Sequence, residues 1–355
     1  MNAPVMQVET VPGDRAKLPE AAAPTSASGR SRARTRREAR EITLIAVTVA
    51  TILLVGIAHP NFMALQNLRF MLLNCVVLSL LALGQTLVIT TRGIDLSVAP
   101  ILGLSAMVTG LLAQSSGLPL VGAFAIALVI GLVLGTLNGV LVAKLAIPPI
   151  ITTLGTYSLY SGLIFVYSNG TQVDSVPPAY ATLGNGVVST LLPIPIPAMV
   201  LGLVLLAVWF MLGHTRFGRA ILAIGNNQTA AYNAGIPVTI VQVSVYTLSG
   251  VLAALAGLMF VCYTGSATVT TGTGDHMELQ SIAVALIGGS AISGGRGKML
   301  GTVLGALFLS VILTALVFVH VPPIWYSAGE GAMILLAVTA GARQGRSAAV
   351  GSSVR

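Results

Sequence analysis

Long apolar runs separated by short polar turns dominate the chain from Ile42 onward. A helix that crosses a bilayer needs about 20 largely apolar residues. That rule predicts spans at 42–58, 70–90, 97–113, 120–143, 147–167, 195–213, 238–263, 279–293, 299–319 and 326–342. The third and eighth are short, and read as tilted, broken or re-entrant segments buried by the rest of the protein. Proline placement agrees with these starts. Pro148 and Pro149 open the fifth span, Pro193, Pro195 and Pro197 the sixth, and Pro322 and Pro323 precede the tenth. Proline at a helix start loses no hydrogen bond, because the first N–H groups are unpaired anyway. The stretch LGQTLVITTRGIDLSVAPILGLSA, residues 83–106, breaks at a polar turn that holds Arg92 and Asp95. Asp95 stands just before an apolar run, which predicts that its side chain caps the third span.

Composition turns these runs into a fold class. The chain is 55% hydrophobic and 8% charged, against roughly 25% charged residues in soluble domains. So few charges cannot cover a soluble surface, and lipid must cover much of it. The predicted fold is an all-α polytopic membrane protein of about ten transmembrane helices. Residues 1–40, rich in Ala, Pro, Ser and Arg, read as a disordered Arg-rich cytoplasmic tail. Residues 41–342 form the transmembrane domain, and 343–355 a cytoplasmic C-terminal tail. The late start of the first apolar run argues against a cleaved signal peptide.

Charge supplies the orientation. Arg30, Arg32, Arg34, Arg36, Arg37 and Arg40 directly precede the first span. With the N-terminus inside, the inner ends also carry Arg92, Lys144, Arg216, Arg219, Arg296, Lys298, Arg343, Arg346 and Arg355, and the outer ends only Arg69. This is the positive-inside pattern, and an even span count puts the C-terminus inside as well. The net charge of +8 sits in one tail and in loop ends, not on a folded basic face of the kind nucleic acid needs.

Several chemistries are absent. Cys75 and Cys262 lie inside apolar runs and read as small packed residues rather than a disulfide or metal pair. His59, His214, His276 and His320 are scattered at span ends and make no ligand set. No catalytic residue and no metal site is assigned. The segment SGGRGK at 293–298 lacks the spacing of a phosphate loop and reads as a tight inner turn. Asp95, Asp174, Asp275, Glu278 and Glu330 fall at span ends or in loops. Secondary transporters usually need ionisable groups or cation sites inside the membrane. The expectation is a pore powered from outside itself. A membrane enzyme finds no nucleophile and base pair to support it.

The longest inner loop, HTRFGRAILAIGNNQTAAYNAGIPV at 214–238, is polar yet patterned. Phe217, Ile221 and Ile224 recur at helical spacing beside Arg216 and Arg219. Gly225, Asn226 and Asn227 mark a helix stop and restart. The loop reads as one or two short amphipathic helices, either a resting connector or a docking element. Elsewhere, Gly131, Gly135 and Gly139 share one helix face, as do Gly297, Gly301 and Gly305. Packing within the subunit is the first reading of such faces, and a dimer seam the second.

Four segments carry a resemblance: GQTLVITTRGIDLSVA at 84–99, NGVLVAKLAIPPIITTLGT at 138–156, TRFGRAILAIGNNQTAAYNAGI at 215–236 and ELQSIAVALIGGSAISGGRG at 278–297. In order and spacing the chain resembles the permease subunits of bacterial ABC importers for simple sugars, the ribose, xylose, arabinose and rhamnose group with its autoinducer-2 permeases. Ala99, where that group usually has Gly, and the Arg-rich tail depart from the pattern. TGTGDHMELQSIA and VPPIWYSAGEGAMILLAV look closest to the rhamnose and autoinducer-2 permeases.

The resemblance implies a type II importer-like fold in the bacterial inner membrane and a transport subunit, not an enzyme. It implies import of a pentose or hexose, rhamnose-like sugars included. The implied partners are a cytoplasmic ABC ATPase that binds ATP and Mg, a periplasmic sugar-binding protein, and a second permease chain, identical or sister. This chain itself would hold no cofactor. The implied ATPase-coupling loop contains Arg216, Phe217, Gly218, Arg219, Ile221, Gly225, Asn226 and Asn227, with Phe217 and Ile221 as anchors. The signature turn contains Gly93, Asp95 and Ser97. Asn74, Gln85, Thr86, Thr152, Thr153 and Ser249 are candidates for a hydroxyl-lined path, with helix–helix hydrogen bonding as their other reading. Permeases for autoinducer-2 or branched-chain amino acids are the alternatives within transport, and a self-powered secondary transporter lies outside it.

Overall fold

The computed structural model describes residues 27–187 and 194–322, with 324–326, 328–329, 331–332 and 335 beyond them. Two units divide at Arg40 and Glu41. In the first, residues 27–40 are helical, within the stretch expected to be disordered; residues 1–26 lie outside the described residues.

The helices are α1 (Ala27–Ala58), α2 (Leu65–Thr90), α3 (Val98–Ser116), α4 (Leu120–Ala143), α5 (Pro149–Ser168), α6 (Pro178–Asn185), α7 (Ile196–His214), α8 (Arg216–Asn226), α9 (Gln228–Asn233), α10 (Val238–Thr264), α11 (Met277–Ile287) and α12 (Met299–Phe318). Among the described residues there is no strand, only the isolated bridges Val173–Ala267 and Val187–Pro195. Eight helices, α1 to α5 with α7, α10 and α12, are long and apolar enough to cross a bilayer. They coincide with eight of the expected spans and mark a multi-pass membrane protein. The expected span at 326–342 lies mostly outside the described residues.

The expected span at 279–293 takes a different form. Its helix, α11, has only 11 residues, about 16 Å of rise. The chain nevertheless runs from one end of the bundle to the other. Ala267 pairs with Val173, just past the end of α5. Gly272 lies against the Ala99 carbonyl of α3. After α11, the Gly295 N–H donates to the Thr90 carbonyl at the end of α2 (2.9 Å). Half of this path is irregular backbone. Such backbone is tolerated at membrane depth only when protein encloses it, and an apolar window cannot detect it.

Two helices form the buried axis. Leu80, Leu81, Leu83 and Leu87 of α2 and Val245, Ala253, Leu258 and Val261 of α10 are fully enclosed. Outer helices turn apolar side chains outward: Ile57, Val121, Leu203 and Val166 are 81%, 81%, 71% and 74% exposed. A contiguous apolar exterior suits lipid or a partner chain, not water.

Glycine sets the closest approach. A Cβ on Gly131 would stand 2.6 Å from the Gly250 carbonyl, and one on Gly135 2.5 Å from the Tyr246 carbonyl. Gly139 faces Val243 in the same way. This stripe packs α4 on α10 of its own subunit. Gly301 and Gly305 likewise face α11.

Among the described residues from Glu41 onward, most basic residues collect at one end of the bundle. Arg92 reaches the last carbonyls of α8, two residues before Gln228 starts α9. Lys144 follows α4, Arg296 lies in the turn held by Thr90, and Lys298 pairs with Glu41 (2.9 Å). Arg69 and the Val173–Ala267 bridge belong to the opposite end.

Candidate functional site

Helix α2 ends in a turn that folds back into the bundle. Arg92 closes it in the left-handed region (φ 67°). Gly93 follows, where a Cβ would stand 2.5 Å from the Tyr246 hydroxyl. Asp95 is then fully buried. Its Oδ1 accepts from the Ser97 N–H (3.0 Å) and the Ser97 hydroxyl (2.6 Å), and its Oδ2 from the Ser249 hydroxyl (3.1 Å). Ser249 lies 11 residues from the start of α10 and 15 from its end. Asp95 is therefore deep inside the bundle.

The network extends across four helices. Asn138 of α4 donates to the Ser97 hydroxyl (2.6 Å), and Tyr160 of α5 donates to Asn138 Oδ1 (3.2 Å). With its amide nitrogen toward the Asp95 carbonyl, Gln85 of α2 bonds both backbone groups of Asp95, at 3.0 and 3.2 Å. The expected helix cap is replaced by this hub. Ser97, not Asp95, occupies the N-cap of α3, and it makes no side-chain cap bond.

Glu278 is the second acid inside the bundle. It is 6% exposed. Its Oε1 lies 3.5 Å from His276 Nδ1, and its Oε2 has no hydrogen-bond partner. The expectation that acids stay at span ends therefore fails at Asp95 and Glu278. Sequence position between two spans does not give depth when the turn re-enters the bundle.

At the basic end, the 214–238 loop folds into α8 and α9. The Thr215 hydroxyl accepts from the Gly218 N–H (3.1 Å) and Asn227 Oδ1 from the Ala230 N–H (3.0 Å), so both helices are capped by side chains. Ile221 and Ile224 are fully buried, and Phe217 packs half-buried on the same core. The apolar face of α8 thus seats the helix on its own bundle. Ile221 cannot serve as an anchor for another protein.

What the loop offers outward is Arg216, Arg219, Asn226, Asn227 and Tyr232. Tyr232 on α9 is 72% exposed. Sequence reasoning passed over it because it stands alone in a run of small residues. Gly218 and Gly225 are buried where a Cβ would meet backbone, Gly225 between Thr90 and Gly295.

Arg92 joins the loop to the spans. Its Nε donates to the Gly225 carbonyl and its Nη2 to the Asn226 carbonyl, both at 2.7 Å. These are the last carbonyls of α8, where a cation is also favoured by the helix dipole. No ion pair between Arg92 and Asp95 forms. The bond from Gly295 to Thr90 brings the SGGRGK turn to the same point, with Gly294 and Gly295 at φ 79° and 72°.

The six hydroxyl and amide candidates do not share a cavity wall. Asn74 accepts from the Tyr263 hydroxyl (2.7 Å), Thr86 bonds Thr302 (2.9 Å), and Thr153 donates to the Pro149 carbonyl (2.9 Å). Gln85 and Ser249 belong to the Asp95 hub. Thr152 alone has a buried hydroxyl without a partner.

Comparison with known proteins sets this geometry in a family. The family described as branched-chain amino acid transport system / permease component matches residues 67–338. The autoinducer 2 import system permease protein LsrC of Yersinia pseudotuberculosis serotype O:1b (strain IP 31758) is 36% identical over 296 residues, 83% of each chain. The ribose import permease protein RbsC of Escherichia coli (strain K12) is 39% identical over 296 residues, 83% of this chain and 91% of that protein. No solved structure matches. Matched over most of its length, the chain belongs to this family of transport-system permease components.

Proposed function

We propose that the chain is the membrane permease subunit of an ATP-driven importer, and that its cargo is a monosaccharide of pentose or hexose size. The observation that carries the reading is the 39% identity to a ribose import permease across 91% of that protein. An autoinducer 2 permease is similar over almost the same length. The family description names branched-chain amino acids, but the full-length relatives given above are for ribose and autoinducer 2.

The subunit hydrolyses nothing itself. A cytoplasmic ATPase binds ATP and Mg and docks on the exposed side of α8 and α9. A periplasmic binding protein delivers the sugar at the opposite end, and a second permease chain completes the pore. ATP and the loaded binding protein favour different states of the bundle, which is the condition for coupling. Arg92 transmits the movement of α8 to the α2–α3 turn, because it belongs to that turn and its side chain bonds the last carbonyls of α8.

The orientation follows from charge. The basic end faces the cytoplasm of an inner-membrane protein, with both termini inside and ten crossings when the broken one at 265–287 and the last at 326–342 are included. Reporter fusions after Asp174 and Ser266 should read periplasmic, and after Asn226 and Arg346 cytoplasmic. A cytoplasmic signal at Ser266 overturns the broken crossing.

Specificity is tested through the cognate binding protein. Its affinity across a panel of monosaccharides should single out one pentose or hexose, and that sugar should stimulate ATP hydrolysis by the assembled complex. Stimulation by autoinducer 2 or a branched-chain amino acid alone would refute the sugar assignment.

A further inference from the structure

The chain between α10 and α11 carries ionisable groups to the middle of the bundle. A Cβ on Gly103 of α3 would stand 2.5 Å from the Thr271 carbonyl. Gly272 follows against Ala99, and its carbonyl accepts from the Met277 N–H (3.0 Å). Ala99 is close in sequence to Asp95, whose partner Ser249 stands near the middle of α10. Helix α11 therefore starts at mid-depth. From there it rises about 16 Å to Gly288, which packs on Gly301 in the first turn of α12. That rise is half of a hydrocarbon core about 30 Å thick.

Asp275, His276 and Glu278 sit at this start. Asp275 is exposed, and the His276 side chain is 51% exposed. Glu278 lies behind them, buried, with Oε1 3.5 Å from His276 Nδ1 and Oε2 unpaired. Its place in the first turn of α11 favours the negative charge but leaves that oxygen unfilled. Helix α5 runs alongside this stretch. The Gly103 position that meets Thr271 also meets Ile164 of α5 (3.0 Å). Two turns back on the same face of α5, about 10 Å nearer the basic end, stands Tyr157. It is half-buried and close enough for the Glu278 charge to act on it. Ser161, between Tyr157 and Ile164, has a buried hydroxyl without a partner.

Ionisable side chains at the bilayer centre are expensive in lipid, and they face the bundle interior or a water-filled path. Asp275 and His276 are open to the outside of the bundle, so the face they share is wet. A cation site would draw the acids together. Instead Asp275 acts on Tyr263 of α10 and Glu278 on Tyr157 of α5. Among the described residues no three His, Cys, Asp or Glu side chains converge. A neutral polyol suits the face better, because its hydroxyls both donate and accept and the face offers an imidazole and a phenol that do the same. We infer that this face is the station a sugar occupies half-way across, its hydroxyls meeting His276 and Tyr157, with Glu278 as the positioning residue that holds the His276 imidazole. The inference deepens the importer reading and rests on it for the identity of the cargo. Discontinuous helices in membrane transporters place substrate sites at this same depth.

The test has two arms. The first uses the full-length permease in lipid nanodiscs and needs no transport. His276→Cys is exposed to a positively charged, membrane-impermeant thiol reagent. Cys75 and Cys262 are buried, so the parent protein is the blank. Leu203→Cys, 71% exposed on the apolar side of α7, is the lipid-facing control. His276→Cys should react at least tenfold faster than Leu203→Cys. The second arm uses proteoliposomes with the ATPase and the sugar-loaded binding protein. Tyr157→Phe and His276→Ala should each lower the sugar moved per ATP hydrolysed at least fivefold, with stimulated ATP hydrolysis within twofold of the parent. A merely structural role would lower both together. Glu278→Gln, which still accepts from the imidazole, should retain more uptake than Glu278→Ala. Equal labelling of His276→Cys and Leu203→Cys overturns the inference, as does unchanged sugar per ATP in Tyr157→Phe and His276→Ala. If the parent complex moves no sugar, the importer reading falls and takes the cargo with it. Failed labelling beside normal sugar uptake overturns this inference alone.

Discussion

Replacing Tyr232 by Ala should weaken the permease for its ATPase about 30-fold and leave its abundance in the membrane unchanged. Tyr232 is 72% exposed on α9, so the fold loses little when the ring is removed. An aromatic anchor at the centre of an interface is worth about 2 kcal/mol or more, and about 1.4 kcal/mol is tenfold in affinity. Ile221→Asp is the contrasting variant. Ile221 is fully buried against the bundle, and an unpaired charge there is far more expensive than a lost contact. That variant should fail to accumulate, whereas Tyr232→Ala should accumulate and fail to co-purify. Normal co-purification of Tyr232→Ala, measured at ATPase concentrations near the dissociation constant, would remove α9 from the docking surface.

The second large effect belongs to Asp95. Its two carboxylate oxygens accept three hydrogen bonds, and its backbone meets Gln85. Asp95→Ala would leave the Ser97 and Ser249 donors buried without an acceptor. Orphaned buried donors cost about 1–3 kcal/mol each, against a total stability of only about 5–15 kcal/mol. Membrane abundance of Asp95→Ala should fall several-fold, with transport per surviving molecule near normal. Asp95→Asn keeps the shape and one acceptor oxygen, and should retain more protein. The opposite result, full abundance of Asp95→Asn with no uptake, would make Asp95 part of the transport chemistry itself.

Eight crossings were legible because each is a continuous apolar helix, a property that hydropathy measures directly. The segment at 265–287 was legible only in part. Its α11 half is apolar, but its other half is irregular backbone that survives by contact with α3. The glycine face of α4 was legible as a packing surface, and its partner α10 was not, because spacing does not name the opposite helix. The same limit explains Ile221. Amphipathic spacing shows that α8 has an apolar face, not whether the bundle or another protein covers it. Arg92 and Asp95 look like a local pair at i and i+3, yet they do not pair: beside the local Ser97, their side-chain partners are Gly225, Asn226 and Ser249, more than 130 residues away. Long-range hydrogen bonds of this kind leave no periodic trace.

The buried acids bear on the central claim, that an outside ATPase powers this pore. Asp95 and Glu278 lie inside the bundle, where ionisable groups in other transporters carry ions or protons. Their surroundings differ: Asp95 is held by three donors in a structural hub, and Glu278 faces His276. Uptake by proteoliposomes that hold the permease, its ATPase and its sugar-loaded binding protein decides between the two power sources. The account expects labelled sugar to accumulate only when ATP is supplied on the ATPase side, at the same rate with and without an ionophore that collapses proton and sodium gradients. Uptake without ATP, abolished by that ionophore, would contradict it.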